Sequence, residues 1–95
     1  MGDSLIERQY RIFGRVQLVM FRDFSKRKAK ELGLCGFVQN KNDSSVFIIA
    51  QGSAGQLAEY EKYLERGPLF AKVERVEKTE NEINKKFDTF EIVYE

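Results

Sequence analysis

The chain opens on an alternation. In RQYRIFGRV, Tyr10, Ile12, Gly14 and Val16 alternate with Gln9, Arg11, Phe13 and Arg15, the two-residue period of a strand with one better-buried face. The period then lengthens. In FRDFSKRKAKELGL, Phe21, Phe24, Ala29 and Leu32 recur at helical spacing, and Gly33 stands where a helix ends in a left-handed residue. GFVQN and VFIIAQG are two β-rich runs joined by KNDSS, whose Asn, Asp and Ser suit a hairpin turn. SAGQLAEYEKYLERGP predicts a second helix. There Ser53 and Gln56 have capping-box spacing, Leu57, Tyr60 and Leu64 form an apolar stripe, and Gly67-Pro68 ends it. FAKVERVEK reads as a charged edge strand, and FEIVY as a closing strand with Phe90, Ile92 and Tyr94 on one face. The polar stretch from Lys78 to Lys86 between them is expected to form a mobile loop.

The order β-α-β-β-α-β is the split βαβ arrangement of the ferredoxin-like α+β class, with two helices packed on one face of an antiparallel sheet. At 95 residues, a single domain spanning residues 1–95 is expected, near the small end of what folds without staples. Phe47 and Ile49 alternate with Val46, Ile48 and Ala50 and are therefore expected on the face that the helices leave open. Scattered apolar residues are normal there; the alternative is a dimerisation patch, and a monomer is the expectation.

Composition narrows the chemistry. Hydrophobic residues make up 42% and there is one Pro, which favours a packed globule over disorder. The net charge of +1, with acids and bases interspersed, argues against nucleic acid as an obligatory partner. GFVQN also lacks the aromatic pair that stacks bases on an open sheet. With no His and one Cys, zinc sites, disulfide frameworks, Ser-His-Asp triads and Cys-His dyads are excluded within the chain. Chemistry falls to Arg, Lys, Asp, Glu, Tyr, Asn, backbone amides or a bound cofactor. No apolar run approaches the roughly 20 residues of a membrane span, so no membrane partner is expected. MGDSLIERQ lacks a signal-peptide pattern, and Ile6 stands where myristoylation wants Ser or Thr. A cytoplasmic protein is expected. The NDS triplet at 42–44 is then a chance match to a glycosylation acceptor, and Cys35 is read as a small buried hydrophobe.

One local feature suits an anion. In GRVQLVMFRDF a strand leads through a loop into a helix. The first amides of a helix lack intrahelical partners, and its dipole favours negative charge at that end. Arg22 lies there with a planar fork fitted to phosphate or carboxylate, and no acid occurs from Gly14 to Arg22. The alternative is a surface arginine paired with Asp23 or a nearby Glu. Asn40 is the second candidate. It ends a β-rich run with the parity of Val38, so its amide either caps the local turn or faces the loop.

GRVQLVMFR, then AKELGLCGFVQN, then NDSSVFIIAQG resemble the acylphosphatase family. Its signatures are G-x-V-Q-G-V-x-F-R and, further on, L-G-L-x-G-[aromatic]-V-x-N-x-x-D-G-x-V. The resemblance runs from about residue 8 through FDTFEIVY. It implies hydrolysis of a small-molecule acyl phosphate to a carboxylate and inorganic phosphate, with no metal, no cofactor and no covalent intermediate. It makes Arg22 the phosphate-binding arginine and Asn40 the residue that positions the attacking water. The backbone N–H groups of Val16, Gln17, Leu18, Val19, Met20 and Phe21 would then cradle phosphate oxygens, with inorganic phosphate or sulfate as a product-like ligand. A related domain opens larger hydrogenase-maturation carbamoyltransferases, but a free-standing enzyme is expected here.

The sequence departs from those signatures at two points. Leu18 stands where the family has Gly; if that position needs positive φ, leucine costs about 1–2 kcal/mol. An impaired, phosphate- or partner-binding module is the alternative this substitution raises. Ser44 replaces the Gly of the hairpin. Gln17 and Ser25 are expected to make loop and helix-cap hydrogen bonds, Tyr60 to lie in the core and Tyr63 on the surface.

Overall fold

The computed structural model describes residues 4–94. Its described elements are the segments read from the pattern, with one strand beyond the β-α-β-β-α-β order: β1 (Ile6–Arg15), α1 (Phe21–Glu31), β2 (Cys35–Asn40), β3 (Val46–Gly52), α2 (Ala54–Arg66), β4 (Lys72–Asn81) and β5 (Phe90–Val93). The strands form one sheet in the order β4-β1-β3-β2-β5. β4, β1, β3 and β2 pair antiparallel and make the ferredoxin-like core, as the pattern predicts. β5 pairs in parallel with β2, which corrects the expectation of a wholly antiparallel sheet. The reason is topological. β4 occupies the edge beside β1, so the chain crosses to the free edge beside β2 and arrives running in the same direction.

Alternation directs Tyr10, Ile12, Val38, Val46, Ile48 and Ala50 to the helical side, where all are fully buried. They meet Phe21 and Ala29 of α1 and Leu57, Tyr60 and Leu64 of α2 in one cluster, each large side chain stabilising by about 1.5–3 kcal/mol through burial. Tyr63 is half-buried rather than on the surface, its ring edge-on to Phe24 at 6.5 Å. Both helix boundaries have local causes. Leu34 N–H donates to Ala29 O and Gly33 N–H to Lys30 O, with Gly33 at φ 77, a paired C-terminal closure of α1. At the start of α2, the Ser53 side chain accepts from Gln56 N–H and the Gln56 side chain accepts from Ser53 N–H.

α2 is fastened to the sheet by Glu61. Its carboxylate accepts from Arg8 Nη1 at 2.9 Å, Tyr10 Oη at 2.8 Å and Lys78 Nζ at 3.0 Å. Burial alone would raise the carboxyl, but these donors outweigh it and hold it below its ordinary value. Burial, and then donation to Glu61, pushes the Tyr10 phenol far up.

The opposite face of the sheet is less open than expected. Phe47 and Ile49 do point away from the helices, but Ile49 is only 8% exposed. The segment linking β4 to β5 crosses this face. Phe87 packs on Phe37 at 5.7 Å, and Phe37 in turn on Phe47 at 6.0 Å. Gln51 is buried there, its Nε2 donating to Lys85 O and Glu7 Oε1 and its Oε1 accepting from Phe87 N–H. The expected mobile loop over Lys78–Lys86 is corrected accordingly. Lys78 to Asn81 extend β4, because ten-residue β1 offers a partner as far as the pair Glu7 and Asn81. Further along, Lys85 O and Phe87 N–H bond to the Gln51 side chain.

Candidate active site

Gly14 starts the local geometry. The β1–β4 register shifts between Phe13 and Gly14, and Gly14 takes φ 127. A Cβ there would collide with the Lys72 carbonyl, so this bulge requires glycine. Beyond it β1 ends at Arg15, and the chain turns through residues 16–20 into α1. Val16 is buried, and Leu18 and Met20 both sit in the left-handed region, at φ 61 and 64. Met20 is the N-cap of α1 and makes no side-chain capping bond. No side chain of Met20 therefore competes for the first amides of the helix.

The loop is fastened to the β2–β3 turn. Gln17 Nε2 donates to Lys41 O at 2.8 Å and to Ser45 O at 2.9 Å, the loop hydrogen bonding expected of Gln17. The turn closes on Asp43, whose Oδ1 accepts from Ser45 N–H and Ser45 Oγ. These bonds, chiefly that from the Ser45 hydroxyl, hold the Asp43 carboxyl below its ordinary value. Ser44 takes φ 73, so the turn keeps a left-handed residue although serine replaces glycine. Ser25 lies inside α1 rather than at its cap, its buried hydroxyl donating to Phe21 O at 2.7 Å.

These constraints surround a hollow of about 240 Å³. Val16, Leu18, Met20 and Phe21 line it from the loop and helix start, Arg22 and Asp23 from α1, Asn40 from the end of β2, and Ile92 and Tyr94 from β5 and beyond. Arg22 and Asn40, 18 positions apart in sequence, thus share one site. Gln17 and Val19 do not line it: the first reaches to the turn, the second packs against the core.

Neither principal side chain is committed elsewhere. Among the described residues Arg22 has no ion pair and no hydrogen-bond acceptor, so the surface pair with Asp23 or a Glu is absent. Its guanidinium instead lies over the Tyr94 ring, Cζ 5.0 Å from the centroid. Asn40 Oδ1 is buried without a hydrogen-bond partner among the described residues, so the amide does not cap the turn. A buried acceptor left unpaired is costly in folding and calls for an explanation in function. Leu18 adopts the strained backbone and is 96% exposed, so its bulk stands at the rim and leaves the hollow open.

Sequence reasoning missed Ile92, Tyr94 and Asp23 as lining residues. The first two were legible as one face of a strand, but not as neighbours of Arg22, since the edge that β5 joins is decided by tertiary packing. Asp23 was visible only as a possible partner for Arg22. Among the described residues no group of three His, Cys, Asp or Glu is placed to hold a metal ion, and no helix is long and apolar enough to cross a membrane.

An uncommitted arginine at a helix N-terminus, over a small hollow of an α+β sandwich, is an arrangement chemically suited to a compact anion. The acylphosphatase family model matches residues 8–92. The chain is 40% identical over 88 residues to an acylphosphatase of Mannheimia succiniciproducens, covering 93% of this chain and 98% of that protein. The crystal structure of the Bacillus subtilis acylphosphatase superposes with a TM-score of 0.91 at 32% identity, covering 94% and 99% of the two chains. A full-length HypF in its phosphate- and nucleotide-bound form also matches, with TM-score 0.90 and 26% identity, covering 98% of this chain and 12% of that one. The chain belongs to the acylphosphatase family, enzymes that hydrolyse acyl phosphates. Nothing in the hollow or the comparisons favours the impaired alternative.

Proposed function

We propose that Arg22, Asn40 and the amides of the residues between Val16 and Phe21 that line the hollow, Val16, Leu18, Met20 and Phe21, carry out this hydrolysis. The observation that carries the reading is the pairing, in one hollow, of an ion-pair-free guanidinium with a buried, unpartnered amide oxygen. Arg22 grips the phosphate through its planar fork, and loop and helix-start N–H groups take further oxygens as a phosphate-binding loop. Phosphoryl transfer needs positioning and charge stabilisation more than covalent chemistry.

Asn40 is no base near neutral pH, and Arg22 keeps its proton. The amide of Asn40 therefore orients a water in line with the departing acyl oxygen. Water oxygen bonds to phosphorus, the bond from phosphorus to the acyl oxygen breaks, and the proton of the water passes to a phosphate oxygen. The products are a carboxylate and inorganic phosphate. A carboxylate leaves without protonation, so no general acid is required and the absence of histidine is no obstacle.

The proposed protein is a monomer of the cytoplasm. Steady-state turnover of benzoyl phosphate tests the site. Arg22→Ala and Asn40→Ala are each expected to lower kcat about 100-fold or more, while Asn40→Ala, which removes an unpaired buried acceptor, is expected to be at least as stable to heat as wild type. Full activity in Arg22→Ala would remove the arginine from the mechanism, and full activity in Asn40→Ala would remove the amide.

A further inference from the structure

We infer that this site selects an uncharged, apolar acyl group, aromatic or extended alkyl, through a rim formed by Leu18, Met20 and Tyr94. The inference rests on the proposed placement of phosphate at Arg22 and Asn40. With the phosphate at Arg22 and Asn40, the acyl half is left the rest of the lining, whose exposed part is Leu18, Met20 and Tyr94.

That rim is apolar. Leu18 is 96% exposed, Met20 71% and Tyr94 71%, and all three line the one hollow, with Ile92 behind them. Single exposed apolar side chains need no explanation, but a contiguous group around a cavity marks a contact surface. Leu18 is the sharper observation. It occupies a left-handed backbone position that disfavours leucine, and it packs against almost nothing. A side chain both strained and unburied contributes little to folding, whereas a ligand closing over it would bury it.

Substrate selectivity tests this. kcat/KM is measured for benzoyl, acetyl and succinyl phosphate with the full chain and with Leu18→Ser and Met20→Gln. Any damage to the phosphate grip affects all substrates and cancels in their ratio. Wild type is expected to favour benzoyl over succinyl phosphate, and each variant to lower the benzoyl-to-acetyl ratio by about 3–10-fold, the range of a lost apolar contact. Both side chains are exposed, so folding is not at stake, and thermal melts check it. A benzoyl-to-acetyl ratio unchanged in both variants, or equal use of succinyl phosphate by wild type, overturns the rim while leaving the hydrolase reading intact. Turnover of none of the three overturns both.

Discussion

The guanidinium of Arg22 lies over the ring of Tyr94, 5.0 Å from Cζ to centroid, and makes no ion pair among the described residues. An aromatic face steadies the arginine without consuming its hydrogen-bond donors or its charge. A carboxylate partner would hold it as firmly but would have to be displaced before phosphate could bind at the proposed site.

Removing that face is expected to loosen the grip. A cation–π contact at an exposed site contributes about 0.5–1 kcal/mol. Tyr94→Ala should therefore raise the inhibition constant of inorganic phosphate by about 2–5-fold, and Tyr94→Phe should leave it near wild type. Phosphate inhibition in a steady-state assay reads the difference, and an unchanged constant in Tyr94→Ala would show the stacking to be idle.

Gln17 joins the loop to the turn that follows Asn40, through bonds of 2.8 and 2.9 Å to two carbonyls. Gln17→Leu strips both, at a cost of about 1–3 kcal/mol for partly buried groups left unpaired. The expected result is a lower urea midpoint together with a fall in kcat larger than any rise in KM, because Arg22 and Asn40 lose their common brace. A variant with wild-type kcat would separate the brace from catalysis.

Three non-glycine residues take left-handed backbone, Leu18 at φ 61, Met20 at φ 64 and Ser44 at φ 73, and of these Leu18 and Ser44 stand where the family signatures have glycine. Glycine relieves about 1–2 kcal/mol of strain but loses about 0.5–1 kcal/mol more chain entropy on folding. Leu18→Gly and Ser44→Gly are each expected to be neutral or to stabilise by up to about 1 kcal/mol. Leu18→Val, β-branched and worse suited to that region, should destabilise. Equilibrium denaturation of the three variants checks the order.

Stability should fall at both ends of the pH scale for separate reasons. Glu61 titrates below its ordinary 4.5 in the folded protein, so its contribution is complete above that value and is lost as pH falls through the lowered one. Tyr10 and Tyr60 are raised above an ordinary 10.0, by burial first. Their protonated forms favour folding below pH 10, and the benefit is lost as pH rises beyond it. Unfolding free energy measured against pH is expected to show both declines, and Glu61→Gln to flatten the acid limb. An unaltered acid limb in that variant would assign the loss to other carboxylates.

The elements were legible because each is written in local chemistry. Period-two alternation gave β1, a three-to-four residue period with Gly33 gave α1, and Ser53 with Gln56 gave the start of α2. Arg22 was legible for the same reason, since a helix N-terminus can be located from the residues that form it. The parity of Asn40 with Val38 also followed from the strand period. Three features were not local. The parallel placement of β5 depends on which sheet edge remains free once β4 has paired with β1. That placement alone brings Tyr94 to Arg22. The burial of Gln51 beneath the crossing segment depends on the chain passing over a face that periodicity marks only as the side away from the helices.

The sequence by itself determined the order of the elements, the inward face of each, and an arginine at the mouth of a helix, because these follow from side-chain period, capping and turn chemistry within a few residues. Only the tertiary structure decided that Arg22 and Asn40 share a hollow, that Leu18 turns its bulk outward, and that an aromatic ring rather than a carboxylate attends the guanidinium. Those outcomes depend on strand register and on the close approach of segments distant in sequence, where packing and the pairing of backbone groups choose among arrangements that local pattern leaves equal.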